Sequence, residues 1–333
     1  MSVKPAASLI IPTYQRRASV ERLLLALTKQ SLAPREFEVL IVVDGSLDGT
    51  REFLEQARVP FDLRCVWQSN QGRAAACNTG IRMANGDLVV LLDDDMEPSA
   101  GFLQAHLDAH CKEEASGMPV GVLGAAPVAL PPGSPPVTRY VARKFNQHLD
   151  RLASPGHNFK MRDFYSGNFS IRRERLLQAG LFDEAFRIYG NEDLELYYRL
   201  SQAGVKFMYC PQALAYQHYE KSFAALARDE AAKGRTATLL ADKHPEVLAD
   251  SKLNTYREAS WRWRLARSGL LSLSRRLPAT PGRVIGWVDR LEQHFPNRMD
   301  LVYRFALDYF FWLGVQAGPA DGAGQAYARR AAV

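Results

Sequence analysis

The chain has 333 residues, 47% of them hydrophobic and 23% charged, which is the composition of a globular enzyme with one large or two modest domains. Its net charge of +6 is unevenly distributed along the chain. Residues 251–290 contain nine basic and two acidic side chains and carry a net charge of +7, so the remaining residues together carry −1. The four cysteines include no Cys-x-x-Cys pair, so we expect reduced thiols in a cytoplasmic protein rather than zinc binding or disulfides.

Short apolar strands alternate with amphipathic helices along the first hundred residues. Strands are predicted over residues 8–11, 39–43, 63–67 and 88–92, and helices over residues 19–30, around 53 and over 73–83. Further strands are predicted over residues 120–125 and 205–209, and further helices over 102–117, 175–179 and from 190 onwards. This alternation predicts an α/β fold, with a Rossmann-like, mostly parallel sheet flanked by helices.

Acidic residues follow two of the predicted strands. Asp44 comes directly after residues 39–43, and three adjacent aspartates, 93–95, come directly after residues 88–92. Because the carboxyl ends of parallel strands meet at the ligand-binding edge of such a sheet, we expect these acids to lie together there. A divalent cation shared with a polyphosphate would neutralise the three carboxylates, and a solvent-exposed acidic loop is the alternative. No Gly-x-Gly-x-x-Gly or P-loop motif is present to hold phosphates instead.

Several motifs follow one another in a fixed order along residues 7–222. They are Ile-Pro-Thr-Tyr-Gln-Arg (11–16), Val-Val-Asp-Gly-Ser (42–46), Asn-Gln-Gly-Arg (70–73) with Asn78, Leu-Asp-Asp-Asp (92–95), Ser-Gly-Asn-Phe-Ser-Ile-Arg-Arg (166–173), Gly-Asn-Glu-Asp-Leu-Glu-Leu (190–196) and His218. In this order they resemble the motifs of family 2 glycosyltransferases, which have the GT-A fold. The resemblance implies a nucleotide-diphosphate sugar donor, most commonly UDP-linked, a hydroxyl acceptor, a divalent cation (Mn²⁺ or Mg²⁺) and inversion at the anomeric carbon.

The resemblance also implies a division of the chain and a role for individual residues. A catalytic domain would span residues 1–222, with a nucleotide-sugar half at about 1–98 and an acceptor half at about 99–222, followed by a helical region at 223–333. The donor would be held by Pro12, Thr13, Tyr14, Arg16, Asp44, Arg73, Asn78, Asp93 and Asp94. A loop facing the acceptor and the donor sugar would contain Gly167, Asn168 and Arg172. The metal ligands would be Asp95, Asp93 and His218, and the imidazole would favour Mn²⁺.

The transfer implied by the resemblance needs a base for the acceptor hydroxyl, whose pKa lies far above 7. We assign this role to Asp193, with Glu192 beside it positioning acceptor or donor hydroxyls. Without the resemblance, the two acids would be interpreted as the first turn of a helix capped by Asn191. His218 would be an ordinary half-buried histidine, and Arg172 a surface charge.

Residues after 222 are predicted to form amphipathic helices, with apolar side chains recurring every three or four positions at 263–277 and 302–312. Their basic character suggests an anionic membrane surface as a partner, although the arginines and tryptophans would also suit a core with charged rims. No nucleic-acid-reading module is present. No apolar stretch of about 18 residues occurs, so we expect no membrane span, and we expect no secretory signal and frayed residues at the C-terminus.

Three other functions share some of these features. A nucleotidyltransferase would require a glycine-rich basic loop after the first strand, and residues 12–16 lack the glycines. A glycoside hydrolase uses paired carboxylates but needs no nucleotide pocket. A silent binding protein would keep the sheet and use only the basic C-terminal region.

Overall fold

A computed structural model describes residues 4–114 and 117–318. Within them the chain forms two compact units. The first contains residues 4–114, 117–129, 145–187 and 192–219, and the second contains residues 130–144, 188–191 and 220–318. Two stretches that the resemblance assigns to the catalytic domain, 130–144 and 188–191, therefore belong to the second unit. The expectation for the frayed C-terminus concerns residues outside the described part.

The first unit is built on one large sheet and one small one. The strands are β1 (Ala7–Thr13), β2 (Phe37–Asp44), β3 (Asp62–Gln68), β4 (Leu88–Leu92), β5 (Met96–Pro98), β6 (Val120–Gly124), β7 (Asn168–Arg172), β8 (Lys206–Cys210) and β9 (Ala215–Gln217). Seven of them form a sheet in the order β3-β2-β1-β4-β7-β6-β8, in which β7 alone runs antiparallel. β5 and β9 form a separate antiparallel pair. The predicted mostly parallel sheet is confirmed, whereas β5 and β7 were not predicted.

Helices cover both faces of the large sheet. They are α1 (Arg17–Leu27), α2 (Thr50–Gln56), α3 (Arg73–Met83), α4 (Phe102–Glu114), α5 (Pro136–Leu152), α6 (Arg173–Gln178) and α7 (Glu192–Gln202). Successive residues of β1 point to opposite faces, so Leu9 joins an apolar cluster with Leu23 of α1, whereas Ile10 joins a second cluster with Ile81 of α3. This double burial explains why the parallel strands are continuous apolar runs.

Helix α5 includes residues of both units and was not predicted. Its buried apolar residues are sparse, namely Val137, Ala142, Leu149 and Leu152. Its apolar and polar side chains are nevertheless well separated onto opposite faces, so the periodic signal of this helix was present in the sequence and was overlooked.

A buried polar network joins β7 to α4. Both N–H groups of the Asn168 amide donate to main-chain carbonyls at 2.9 Å, so its Oδ1 accepts from Nε2 of His106, also at 2.9 Å. Nδ1 of His106 then accepts from the Ser170 hydroxyl at 2.8 Å, and Ser170 Oγ accepts from Nε2 of His110 at 2.9 Å. This order requires a neutral imidazole at His106, because its Nδ1 accepts a hydrogen bond while its Nε2 donates one. Burial lowers the pKa of His106 to about 3 and that of His110 to about 4.

The second unit is helical. It contains α8 (Phe223–Lys243), α9 (Trp261–Arg276), α10 (Thr280–His294) and α11 (Asp300–Ala317), with 3₁₀ turns at Pro245–Asp250 and Lys252–Arg257. α8 and α11 touch through their backbones, because a Cβ on Gly234 would lie 2.0 Å from the carbonyl oxygen of Phe311, and one on Gly314 would lie 1.9 Å from that of Ala231. In the described part of the chain, no helix has the length and apolar character needed to cross a bilayer.

An ion pair between the buried Arg267 and the partly buried Asp308 connects α9 to α11. The carboxylate of Asp308 accepts from the guanidinium of Arg267 at 2.9 Å, from the Trp263 indole at 2.7 Å and from the Trp312 indole at 3.1 Å. The guanidinium of Arg267 also lies over the Tyr256 ring, 4.1 Å from its centroid. Arg267 and Asp308, which lie on different helices, therefore pair with each other inside the unit.

Because the pKa of His110 is lower in the folded than in the unfolded chain, the unfolded chain takes up a proton first as the pH falls below about 6.5. The wild-type protein should therefore lose free energy of unfolding relative to a His110→Leu variant by about 1.4 kcal/mol per pH unit below 6.5. Urea titrations of both proteins between pH 7 and pH 5 measure this difference.

The matched control is Leu25→Ala, which shortens an exposed apolar side chain of α1, removes no titratable group and should therefore leave the pH dependence of stability unchanged. Parallel pH profiles for wild type and His110→Leu would contradict a neutral, buried His110.

Candidate active site

The carboxyl ends of β1, β2 and β4 lie side by side and carry the predicted donor residues. At the end of β1, the Thr13 hydroxyl donates to Asp94 at 2.7 Å. At the end of β2, the buried carboxylate of Asp44 accepts from the side chain of Gln68 and from the main-chain N–H groups of Gln71 and Gly72, at 2.8 to 2.9 Å. Asp44 thus holds the turn that starts α3, and its contact with a nucleotide base stays a prediction.

Three other predicted donor residues lie at or near the end of β1. Pro12 is buried within the strand, opposite Val42 of β2. Tyr14 is exposed just beyond the strand, and the guanidinium of Arg16 lies 3.8 Å from the carboxylate of Asp95. Tyr14 and Arg16 are therefore placed where a bound ligand can reach them.

Arg73, the first residue of α3, brings three carboxylates together. Its guanidinium contacts Asp93 at 2.8 Å, Asp193 at 3.2 Å and Glu192 at 3.9 Å. Burial would lower the pKa of Arg73, but these carboxylates raise it well above its usual value. The predicted donor residue Asp93 and the predicted base Asp193 are thereby held beside one cation.

Asp193 lies in the first turn of α7 and is held at both oxygens. The Ser166 hydroxyl donates to Oδ1 at 2.5 Å, and the Ser166 main-chain N–H donates to Oδ2 at 3.3 Å. The neighbouring Glu192 is buried. Ser166 was not assigned a role from the sequence, although it begins the motif at 166–173. A partly exposed carboxylate fixed in this way can accept a proton from a hydroxyl placed against it.

Gly167 fits tightly against Asp93. Its carbonyl oxygen accepts from the Asp93 main-chain N–H at 3.0 Å, and a Cβ at this position would lie 2.3 Å from the Asp93 carboxylate. A glycine is therefore required for the Asp93 side chain to reach Arg73.

The three consecutive aspartates face different partners. Asp93 bonds Arg73, Asp94 bonds Thr13, and Asp95 faces Arg16. Burial raises the pKa of Asp94 to about 7, and the charges of its two aspartate neighbours act in the same direction. Repulsion among the three adjacent carboxylates therefore contributes to the raised pKa of the middle one, Asp94.

Asp95 and His218 are adjacent across the β5–β9 pair. The main-chain N–H of His218 donates to the carbonyl of Asp95 at 2.9 Å, and Nε2 of His218 bonds the carboxylate of Glu97 at 2.7 Å. Within residues 4–114 and 117–318, no three His, Cys, Asp or Glu side chains form a cluster that could hold a metal ion. The predicted set of Asp93, Asp95 and His218 is therefore not assembled, because Asp93 turns to Arg73 and the imidazole to Glu97.

The donor groups at Asp95 nevertheless fit a divalent cation. Mg²⁺ is typically held by one or two protein carboxylates and completes its shell with substrate phosphates and water. When Nε2 of His218 donates its proton to the carboxylate of Glu97, the other ring nitrogen, Nδ1, carries a lone pair that can bind a metal ion. Asp95 and His218 could thus serve as ligands without a preformed cluster.

Three residues predicted to contact substrate lie elsewhere. β7 runs antiparallel to β4, so Asn168 pairs with Leu92 at the site edge, whereas Arg172 pairs with Leu88 at the opposite edge. The sugar-facing position predicted for Arg172 is therefore wrong. That of Asn168 is also wrong, because its amide is buried in the network with α4. Of the predicted loop, Gly167 alone adjoins the carboxylates.

The predicted contact of Asn78 with the nucleotide is also wrong. Asn78 is buried in α3, and its amide nitrogen donates to the Phe182 carbonyl at 2.9 Å and to the Glu184 carboxylate at 2.8 Å. Its amide oxygen accepts from the Phe182 N–H at 2.9 Å. Asn78 therefore fixes the segment at 182–184.

Comparison with known families and proteins agrees with this arrangement. The family described as Glycosyl transferase family 2 matches residues 8–175, half of the chain, and a related family, Glycosyltransferase like family 2, matches residues 137–248. Validoxylamine A glucosyltransferase of Streptomyces hygroscopicus subsp. limoneus is 28% identical over 225 residues, which cover 60% of this chain and 49% of that enzyme. Chondroitin synthase of Escherichia coli is 27% identical over 72% of this chain and 38% of its own. The chain thus spans half the length of these relatives or less.

Solved structures share the fold. The mannosyltransferase PcManGT of Pyrobaculum calidifontis, in complex with GDP-Man and Mn²⁺, matches with a TM-score of 0.58 and 19% identity, over 93% of this chain and 87% of that one. Residues 1–349 of S. aureus TarS, in complex with UDP-GlcNAc, match with a TM-score of 0.53 and 16% identity, over 93% and 91%. At this identity the likeness shows the fold, and the expected GT-A architecture is confirmed.

Replacing Gly167 with alanine should push the Asp93 carboxylate away from Arg73. Because the added methyl group would lie 2.3 Å from that carboxylate, the Asp93 side chain must rotate and give up its contact with Arg73, and we expect a loss of about 0.5–1.5 kcal/mol in the free energy of unfolding. Urea unfolding followed by circular dichroism measures the loss.

Gly101→Ala is the matched control, since a Cβ there meets no atom within 4 Å. Equal stability of Gly167→Ala and Gly101→Ala would contradict the tight fit of Gly167 against Asp93.

Proposed function

The chain belongs to glycosyltransferase family 2, and from this premise we propose that it transfers a sugar from a nucleotide-diphosphate sugar to an acceptor hydroxyl. The observation that carries the proposal is the fixed carboxylate of Asp193, held by Ser166 and Arg73 next to Asp93 at the carboxyl edge of the sheet. Both relatives described above are named for sugar transfer or polysaccharide synthesis, which supports the same reaction type.

For the donor, we propose a UDP-sugar as the first candidate. The TarS structure contains UDP-GlcNAc, and the PcManGT structure contains GDP-Man, so the fold accommodates either base. Thr13, Tyr14 and Asp44 would lie on the nucleoside side of the donor, and Arg73 and Asp93 on the side of the diphosphate and sugar. The acceptor would be a hydroxyl of a glycan, a glycolipid or a small molecule.

We also propose that a divalent cation, Mn²⁺ or Mg²⁺, binds with the donor at Asp95 and His218. When bound, such an ion stabilises the negative charge that develops on the diphosphate leaving group. The Mn²⁺ in the PcManGT structure supports this choice. Phosphate oxygens and water would supply the remaining ligands, in keeping with the lack of a preformed cluster among the described residues.

The proposed chemistry is a direct displacement. The acceptor oxygen attacks the anomeric carbon from the face opposite the diphosphate, its proton moves to the carboxylate of Asp193, and the bond to the diphosphate oxygen breaks with its electron pair. Attack from the opposite face inverts the anomeric configuration. Ser166 and Arg73 keep the base in place, and Glu192 would position a hydroxyl of the donor or acceptor.

The products separate this proposal from its alternatives. Release of nucleoside diphosphate from candidate sugar nucleotides supports a transferase, whereas pyrophosphate indicates nucleotidyl transfer. Hydrolysis of a glycan without a nucleotide indicates a glycosidase, and binding without turnover indicates a silent binding protein.

We propose a cytoplasmic location for the enzyme. All four cysteines are free thiols in the structure, and two of them, Cys77 and Cys210, are buried. Burial raises the pKa of Cys77 to about 12, which keeps this thiol protonated. Unpaired thiols are typical of reducing compartments.

Asp193→Asn should strongly slow transfer while preserving donor binding, because the amide keeps the shape of the side chain but cannot accept the proton. We expect kcat to fall by about 10²- to 10⁴-fold. Release of nucleoside diphosphate measures turnover, and calorimetric titration with the diphosphate measures binding.

The control for this variant is Asp62→Asn, at an exposed aspartate of β3, which should behave as wild type. If Asp193→Asn lost donor affinity as strongly as turnover, Asp193 would have a role in donor binding instead.

Asp95→Asn should weaken the binding of Mn²⁺ in the presence of nucleoside diphosphate, since the amide is a poorer ligand for a hard cation. Electron paramagnetic resonance of free Mn²⁺ measures this binding without any turnover, and removal of metal by EDTA should stop transfer. Asp87→Asn, at an exposed position before β4, is the control. Unchanged Mn²⁺ binding in Asp95→Asn would place the cation elsewhere.

A further inference from the structure

The outward faces of α9 and α10 carry large apolar side chains in contact with solvent. On α9, Trp261 is 63% exposed and Leu265 is 67% exposed, and Leu273 lies on the same outward side. On α10, Trp287 is 51% exposed, and Phe295, directly after that helix, is 54% exposed. Single exposed apolar residues are ordinary, but such a concentration on two consecutive helices marks an interaction surface.

Arginines lie among these apolar side chains. Arg262 and Arg276 are exposed on α9, and Arg283 and Arg290 are exposed on α10. The latter two stand four residues before and three residues after Trp287, so they flank its ring on one helix face. With nine basic and two acidic residues, the segment 251–290 is strongly cationic.

The core of the second unit uses other residues of these helices. On α9 the buried positions are Arg267, Leu271 and Ser274, and on α10 they are Thr280 and Val288. At 100° per residue, Trp261, Leu265 and Leu273 fall outside the buried face of α9. Trp287 lies about 20° from Thr280, at the border of the buried face of α10, and half of its side chain is left exposed. The exposure of these side chains is therefore not explained by packing within the unit.

We propose that α9 and α10 bind the surface of a membrane that contains anionic lipids. Tryptophan side chains favour the boundary between acyl chains and headgroups, leucines add apolar contact below it, and arginines pair with lipid phosphates. The two helices would lie along the surface. This mode of binding suits helices of 16 and 15 residues that are too polar to cross a bilayer.

Charge argues against two other occupants. In a symmetric dimer the same arginines would face each other across the interface, and like charges would oppose association. The phosphates of a nucleic acid would form ion pairs with the arginines, but they could not bury the apolar side chains of Leu265, Leu273 or Phe295. A lipid surface satisfies both the cationic and the apolar side chains.

The test is flotation of the full chain with vesicles made of equal parts phosphatidylglycerol and phosphatidylcholine. We expect binding at low salt that weakens toward about 0.5 M salt, and little binding to phosphatidylcholine alone. Trp287→Ala should weaken the binding constant by about tenfold, and the double variant Arg276→Gln with Arg283→Gln should weaken it by about fivefold per arginine.

Matched controls lie in the first unit. Trp67, which is 47% exposed on β3, is the control for Trp287, and Arg35 with Arg162 provides the same loss of charge at exposed positions. Trp67→Ala and the double variant Arg35→Gln with Arg162→Gln should bind vesicles as wild type does. Circular dichroism melts of all variants establish that they are folded.

Three outcomes would overturn the proposal. The first is a lack of vesicle binding at low salt. The second is evidence that only unspecific attraction between charges holds the protein on the vesicles. This would be the case if Trp287→Ala bound vesicles as wild type does, or if duplex DNA displaced wild type and Trp287→Ala from the vesicles equally well. The third is a dimer in solution that Trp287→Ala disrupts while vesicles remain unbound. None of these measurements uses a sugar donor, so they are independent of the catalytic proposal.

Discussion

The candidate active site depends on one partly buried cation, the guanidinium of Arg73. Arg73 starts α3 at the edge of the sheet, and its guanidinium contacts carboxylates from the end of β4 and from the first turn of α7. Without it, Asp93, Glu192 and Asp193 would repel each other at close range. Asp44 supports the same arrangement, because its carboxylate accepts hydrogen bonds from the main chain of the turn that positions Arg73. The site is thus held together by charges that lie far apart in the sequence.

The parallel half of the fold could be predicted because its strands are buried on both faces. Continuous apolar runs such as residues 88–92 leave little ambiguity, and the acids that follow them identify the ligand-binding edge. β7 was missed for the opposite reason. Its buried Asn168 and Ser170 read as loop residues in the sequence, and only the two histidines of α4, distant in the chain, make them compatible with a core.

The same limit applies to the site. Arg73 and Asp93 were predicted to hold the donor and Asp193 to act as the base, and the structure brings the three side chains into contact. Asn78 and Arg172 were assigned to substrate because they lie within or beside the motifs that carry the resemblance. Whether a side chain faces a ligand or a neighbouring segment depends on strand direction and on contacts such as that of Asn78 with Phe182. Neither of these can be derived from a motif.

The backbone contact between α8 and α11 limits how the C-terminal unit can change its length. Gly234 and Gly314 meet the opposite main chain so closely that neither position has room for a side chain. Inserting or deleting one residue inside either helix would turn the following residues by about 100° and bring a larger side chain to the crossing point. Gains and losses of residues should therefore be confined to the connections between the helices, and the crossing point provides a fixed reference for aligning divergent sequences of this unit.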